Sequence, residues 1–493
     1  MGEKKKILFV ASEAVPFCKS GGLADVCGAL PKALEKLGHD VRLVLPRYWV
    51  IGREQHQLKT ALGSMGVPMG TGTVWCSVLE GKSNGVTCYF VEHEGYFGRA
   101  GLYDDGKWSY LDNAERFGFF SKSAIQICKD LNFQPDIIHC HDWQTSLTAA
   151  YLKIHELHHP FFARTASVFT IHNIAYQGTF PINAYDYLGL GYEHYTEAKF
   201  ENYGGINMMK GTIFFADVIN TVSPSYAREI LSEPGANGLS PYLERRREDV
   251  HGILNGVDYD HWDPGTDDLI PAHYSVRDMS GKNRCKEALQ KEFLLEPAER
   301  GPVIGITTRF AHQKGFHLVA PIIKDVVRNM AVQFAIIGSG EKGLEDFFGG
   351  LPAEFPGKVG AWIGYNNHKA HLIEAGCDFF LMPSLYEPCG LNQIYSMKYG
   401  TLPIVRETGG IRDTVEQYHE GDGTGTGFCF HAAEPHAIYN TIGWAVSTYY
   451  DRPQHFTAMR KRAMQKNFSW LDAAQKYEEL YERALDRRAQ WHA

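Results

Sequence analysis

Residues 5–37 read KKILFVASEAVPFCKSGGLADVCGALPKALEKL. An apolar run, KILFVA, leads through a short polar stretch into two adjacent glycines. After them Leu23, Val26, Leu30, Leu34 and Leu37 recur at nearly helical spacing. A continuous apolar run of this length suits a strand covered on both faces, and the spacing after it suits a helix packed against that strand. Strand, Gly-Gly turn and helix are the opening half of a parallel β-α-β unit.

The same alternation continues outward. DVRLVLP (40–46), VTCYFVE (86–92), PDIIHCH (135–141), ASVFTIH (166–172) and DVINTVS (217–223) read as buried strands. Residues 23–37, 114–131 and 144–155 read as helices between them. A second series follows, with GPVIGITT (301–308), VQFAIIG (332–338), GKVGAWIG (357–364), DFFLMPS (378–384), TLPIVRE (401–407) and GTGFCF (425–430). The fold class expected is α/β: two doubly wound, parallel-sheet, Rossmann-like domains facing across a cleft, each with a ligand crevice at the carboxyl ends of its strands. The domains are placed at 1–255 and 256–469, with a charged helical segment at 470–493 bracing the first. Residues 255–280, rich in Asp, Gly and Pro, read as the linker.

Composition limits the function. A chain of 493 residues with 44% apolar content has room for two or three domains with ordinary cores. A net charge of -8 with interspersed signs excludes a general nucleic-acid binder, and leaves room for a local basic pocket. No run of eighteen apolar residues is present, and Glu13 interrupts the short apolar start, so neither a membrane span nor a signal peptide is expected. The ten cysteines form no C-x-x-C pair and read as reduced thiols of a cytoplasmic protein.

The residues that suggest chemistry lie at strand ends. In Lys19-Ser20-Gly21-Gly22, glycines without side chains let an anion reach backbone N–H groups at a helix start, and Lys19 adds a full charge. Packing alone also produces such turns, and the dinucleotide pattern G-x-G-x-x-G is absent. Thr408-Gly409-Gly410 repeats the arrangement in the second half. Arg309 and Lys314 follow the strand GPVIGITT, where two cations can neutralise a diphosphate as its bond to a sugar breaks. Glu387, in YEPCGL, is placed at a helix start as either an N-terminal charge or an acceptor for sugar hydroxyls. His172 and Asn173 end another buried strand. In His139-Cys140-His141-Asp142-Trp143 a metal site lacks a second ligand cluster, whereas Asp142 and Trp143 suit a sugar subsite.

Together these stretches resemble the bacterial glycogen synthase and plant starch synthase family over nearly the whole chain. The matching segments are ILFVASEAVPFCKSGGLADVCGALPKAL, IIHCHDWQT, TIHNIAYQG, ILNGVD, TRFAHQKG, PSLYEPCGLNQIYSMKYGTLPIVRETGGIRDTV and GTGF. The resemblance implies the two-domain glycosyltransferase B fold, an ADP-glucose donor, a glycogen or maltooligosaccharide acceptor, retention at the anomeric carbon, and no cofactor or metal. It implies that Lys19, Gly21 and Gly22 meet donor phosphate and sugar, that Arg309 and Lys314 stabilise the departing diphosphate, and that His172 and Glu387 hold the glucose. Tyr365 matches an aromatic that stacks on adenine. Asp25, Cys389, Gly390, Leu391, Thr408, Gly409 and Gly410 fall on the donor side, and Asp142, Trp143 and Asn173 on the acceptor side. Ile411 replaces the usual Leu, and Tyr395 stands where wider retaining transferases carry a second Glu. UDP-glucose as donor, a disaccharide product, or a non-catalytic glucan-binding role are the alternatives, the last expected to have lost Arg309, Lys314 or Glu387.

Overall fold

The computed structural model describes residues 3–297 and 301–490. All twelve apolar runs form strands, and they divide between two units, one reaching to Gly256 and resuming at Trp470, the other spanning Val257–Ser469.

The first unit holds a nine-stranded sheet. Its order is Val250–Gly252, Val218–Thr221, Ala166–Ile171, Ile137–His141, Lys6–Val10, Asp40–Pro46, Val86–Glu92, Gly72–Ser83, Lys59–Met69. The first seven run parallel, and their central members are buried along almost their whole length, as strands sandwiched between helices must be. The helices Gly22–Lys36, Asn113–Asp130 and Trp143–Ile154 lie within two residues of expectation.

Three strands of that sheet were not expected, the short edge strand Val250–Gly252 and the last two. Lys59–Met69 and Gly72–Ser83 pair antiparallel. Met65, Val67, Cys76 and Val78 are buried, while Gly66, Pro68, Thr73 and Trp75 alternate with them toward solvent or half-burial. A strand with one wet face carries a period of two and no continuous apolar run, so a search for such runs passes over it.

The closing helix Trp470–Gln490 packs on Gly22–Lys36 and on the strands Ala166–Ile171 and Val218–Thr221. Tyr477 and Tyr481 are buried, and their hydroxyls meet Asn220 and His139 at 3.1 and 3.0 Å. Arg488 donates to the carbonyls of Leu157 and Phe162 at 3.2 and 3.1 Å. Residues 491–493 of the expected segment lie outside the described residues.

The second unit carries six parallel strands in the order Val359–Ile363, Gln333–Gly340, Val303–Phe310, Phe379–Met382, Leu402–Arg406, Phe428–Phe430. The stretch expected to be a linker is packed against it. Ile270, Ala272 and Tyr274 join Cys285, Ala375, Tyr399 and Met464 in one apolar cluster. Trp262 is sandwiched between His371 at 3.9 Å and Tyr395 at 4.1 Å. Asp267 accepts from Tyr399 Oη at 2.6 Å and lies 2.8 Å from His371 Nδ1. Turn-forming residues had masked a strap held by aromatic stacking. Tyr395, the departure noted above, is one wall of that stack.

Candidate functional site

In the first unit the turn after Lys6–Val10 carries the first candidates. Gly21 is extended, at φ -154°, and the helix begins at Gly22. A Cβ added at either glycine would meet nothing within 4 Å, so close packing does not account for them. The N–H groups of Ser20 and Gly21 nevertheless have a partner within the chain. The carboxylate of buried Glu13 accepts from the backbone N–H of Ser20 and, at 3.3 Å, from that of Gly21, and also from Ser20 Oγ at 2.8 Å. Tyr103 Oη donates to the same carboxylate at 3.1 Å. The N–H groups of Ser20 and Gly21 thus rest on a carboxylate of the chain itself. Sequence reading used Glu13 only as an interruption of an apolar run; a carboxylate a few residues ahead of a Gly-Gly turn was the signal it passed over. Lys19 Nζ sits 2.7 Å from both carboxylate oxygens of Asp25.

Asp142, Trp143, His172 and Asn173 come together at the ends of Ile137–His141 and Ala166–Ile171, adjacent parallel strands. Asp142 takes a positive φ of 56° and its carboxylate accepts the backbone N–H of His172 at 2.7 Å. Burial pushes its ionisation up to about 7, against the hydrogen bonds from the His172 and Asn173 backbone. His172 Nε2 lies 3.0 Å from His141 Nδ1, and burial lowers the ionisation of His172 to about 3, so it stays a neutral imidazole. Asn173 Oδ1 accepts the N–H of Ala175 at 3.0 Å. Trp143 is half-buried, with the Phe117 ring at 5.2 Å and the Phe180 ring at 5.4 Å. His139, the other half of the metal reading, is bonded through both ring nitrogens to Tyr481 and Thr170.

In the second unit three strand-end loops interlock. Gly315, at φ 74°, lies so close to Pro383 that a Cβ would overlap its carbonyl oxygen. The Leu385 N–H donates to the Gln313 carbonyl at 2.8 Å, and Gln313 Nε2 donates to the Tyr386 carbonyl at 3.2 Å. This zipper sets Lys314 Nζ 2.7 Å from Glu387 Oε2, which also accepts from Ser384 Oγ at 3.0 Å. Glu387 is therefore no helix cap: the next helix starts at Asn392, and Leu391 occupies its N-cap position. The third loop closes on the second. Gly410 N–H donates to the Glu387 carbonyl at 3.0 Å, and a Cβ on Gly409 or Gly410 would overlap the carbonyl oxygen of Glu387 or Cys389. Here packing does account for the glycines, and Thr408 is buried ahead of them. Cys389 is buried too, and Gly390 has a φ of 72°. Arg309 is exposed, with no partner for its guanidinium among the described residues. Tyr365 is 73% exposed and hydrogen-bonded through its hydroxyl to Asn367 at 3.0 Å, which leaves its ring available for stacking.

The chain also matches known proteins along nearly all of its length. Residues 6–245 match the model for the starch synthase catalytic domain, and residues 290–464 match that for glycosyl transferases group 1. A glycogen synthase of Geobacter metallireducens is 46% identical over 489 residues, covering 99% of this chain and 97% of that one. The chain belongs to the glycogen and starch synthase family. The catalytic domain of starch synthase IV from Arabidopsis thaliana, solved with ADP and acarbose, superposes with a TM-score of 0.90 at 31% identity, covering 98% of this chain and all of that one. A sucrose-phosphate synthase from Thermosynechococcus elongatus, at 15% identity and a TM-score of 0.59, shares the fold alone. As a family member the chain is a glycosyltransferase with the two-domain B-type fold. Among the described residues no helix is long and apolar enough to cross a membrane.

Proposed function

We propose that this glycosyltransferase moves glucose from ADP-glucose to the non-reducing end of an α-1,4-glucan, glycogen or a maltooligosaccharide, with retention, in the cytoplasm. The observation that carries the reading is the Lys314–Glu387 pair in three loops locked together at strand ends, with Arg309 exposed near the end of the strand that leads into the first of them.

Both units serve one reaction in this reading. Arg309 and Lys314 take the negative charge that grows on the diphosphate as the anomeric C–O bond breaks. Lys19 meets the donor's phosphate and sugar with Gly21 and Gly22, and Asp25 steadies it. Glu387 and His172 hold the transferred glucose while positive charge builds on its ring. Tyr365 stacks on the base, and Cys389, Gly390, Leu391, Thr408, Gly409 and Gly410 shape the donor side. Asp142, Trp143 and Asn173 line the acceptor.

The acceptor hydroxyl attacks from the face the diphosphate leaves. The new C–O bond forms there, and the departing phosphate oxygen takes the hydroxyl proton. Exclusion of water during that interval limits donor hydrolysis. The rival course, a double displacement with Glu387 as nucleophile, predicts a glucosyl adduct on Glu387 that mass spectrometry would detect.

The test is to incubate the protein with ADP-glucose or UDP-glucose plus maltooligosaccharides, following nucleotide release and chain growth. Extension with ADP-glucose is expected. Extension with UDP-glucose alone would reassign the donor, and neither product from either donor would overturn the reading.

A further inference from the structure

His141 is fully buried and takes no part in the roles assigned above. Its strand places it beside Thr170 in the parallel register, so His172, two residues beyond Thr170, falls on the same side of the sheet. The Thr145 hydroxyl accepts the His141 N–H at 2.6 Å and donates to the His141 carbonyl at 2.8 Å, which fixes the backbone. Phe9 stacks along the imidazole, with centroids 5.3 Å apart and planes 17° apart. The ring is held, and its Nδ1 faces His172 Nε2 at 3.0 Å.

One proton must lie between those two nitrogens for a bond of this length. Both rings are kept neutral by burial, so each carries a single proton. His141 Nε2 is buried and has no hydrogen-bond partner among the described residues. His139 offers none, its own nitrogens being engaged by Tyr481 and Thr170. Two arrangements remain. If His141 carries its proton on Nε2, a buried N–H is left without an acceptor. If it carries the proton on Nδ1, only a lone pair is left without a donor. Orphaned buried N–H groups are the rarer and costlier of the two. The proton therefore sits on His141 Nδ1 and is donated to His172 Nε2.

We infer that His141 is a positioning residue that fixes His172 as the Nδ1–H tautomer, so that His172 presents a hydrogen-bond donor to the transferred sugar. The tautomer follows from the hydrogen bonds of two buried, neutral rings; the donor role rests on the function proposed above. His172 Nδ1 has no partner among the described residues, and in this tautomer it donates to a glucosyl hydroxyl oxygen. In the other it would only accept.

The test combines spectroscopy with kinetics. Multiple-bond proton–nitrogen correlation spectra of the protein labelled at histidine ring nitrogens report which nitrogen of each imidazole is protonated. His172→Asn assigns the His172 signals by their loss. The wild type is expected to show His172 protonated at Nδ1. His141→Asn, whose amide nitrogen replaces the Nδ1 donor, is expected to keep that pattern and to hold kcat within about threefold. His141→Leu removes the donor and should release the tautomer preference, lowering kcat about 10–100-fold with little change in KM for the donor, the scale of losing an orienting partner. A wild-type His172 protonated at Nε2 overturns the inference without any variant having to fold. A leucine variant that keeps both tautomer and kcat overturns it as well. If the tautomer stands but His172→Asn keeps full turnover, the role of His172 in the proposed function is what fails, and the donor role built on it falls too.

Discussion

Glu387→Gln should tighten the binding of ADP while nearly abolishing transfer. Lys314 and Glu387 are 2.7 Å apart, with side chains 19% and 8% exposed, so each is the other's main counter-charge. Two unit charges about 4 Å apart at an effective dielectric near 20 attract by about 4 kcal/mol. Desolvation and loss of side-chain freedom offset most of that. A pair intermediate between exposed ones, worth about 0–1 kcal/mol, and fully buried ones, which cost about 3–5 kcal/mol to break, leaves about 1–2 kcal/mol. A diphosphate that recruits Lys314 must give up that amount. The glutamine amide is nearly isosteric and can still accept from Ser384, but it has no charge to hold the ammonium. The affinity for ADP should then rise about 5–30-fold, at about 1.4 kcal/mol per factor of ten. Turnover should fall about 100-fold or more, because the carboxylate no longer faces the positive sugar ring. Titration calorimetry with ADP in the absence of acceptor measures the first effect and an initial-rate assay the second. ADP affinity that is unchanged or weaker in the glutamine variant refutes the idea that Glu387 and the diphosphate compete for Lys314.

The two Gly-Gly turns should respond differently to a methyl group. Gly409→Ala places a Cβ on the Glu387 carbonyl oxygen at a φ of 47°, and should lower stability by at least about 2 kcal/mol in denaturant titration. Gly22→Ala meets open space, so its stability should stay within about 0.5 kcal/mol while kcat/KM falls at least about tenfold if that space receives the donor. Tyr365→Ala should leave the urea midpoint unchanged, since the ring is 73% exposed, and weaken ADP about tenfold by calorimetry, with Tyr365→Phe near wild type. Acid should act through the imidazoles. His139, His141 and His172 ionise in the fold well below their ordinary 6.5, His172 at about 3, so the unfolded chain binds more protons below pH 6.5. Stability present above that pH is lost as pH falls toward 3, by up to about 1.4 kcal/mol per pH unit per group. Asp142 has the opposite sign: raised from 3.8 to about 7, it keeps its proton in the fold across that interval and partly offsets the loss. Urea midpoints at pH 7, 6 and 5 should therefore drop, and drop more steeply in Asp142→Asn.

What the sequence made legible is what burial writes into it. A strand covered on both faces is apolar throughout, so the central strands of both sheets could be read. The hairpin of Lys59–Met69 and Gly72–Ser83 has one wet face, and its glycines hid an alternation that Met65, Val67, Cys76 and Val78 still carry. Polarity misled in the 255–280 stretch, where Asp267, Trp262 and Tyr274 are held by contacts far along the chain, at His371, Tyr395 and Tyr399. The candidate site residues stood out because they cluster in short motifs at strand ends. Their partners did not: Lys314 and Glu387 lie 73 positions apart, and Glu13 gave no sign that its carboxylate turns back onto Ser20 and Gly21. Composition marks where charge gathers; only the fold decides which charges meet.

Those meetings share a logic. Lys19 is held by Asp25, Lys314 by Glu387, and the N–H groups of Ser20 and Gly21 by Glu13. Of the cations assigned to the donor, Arg309 alone has no partner among the described residues. Each internal counter-ion orients its group before a ligand arrives, which lowers the ordering cost of binding, yet each must be exchanged or shared when one does. A ligand that makes one such exchange gains little, because it replaces one ion pair by another. A ligand that carries two phosphates for Arg309 and Lys314 and adds a base for Tyr365 gains the sum. Discrimination between ADP and inorganic phosphate should therefore be much steeper than their charges alone suggest, and it should narrow in Glu387→Gln, where Lys314 is released without any exchange.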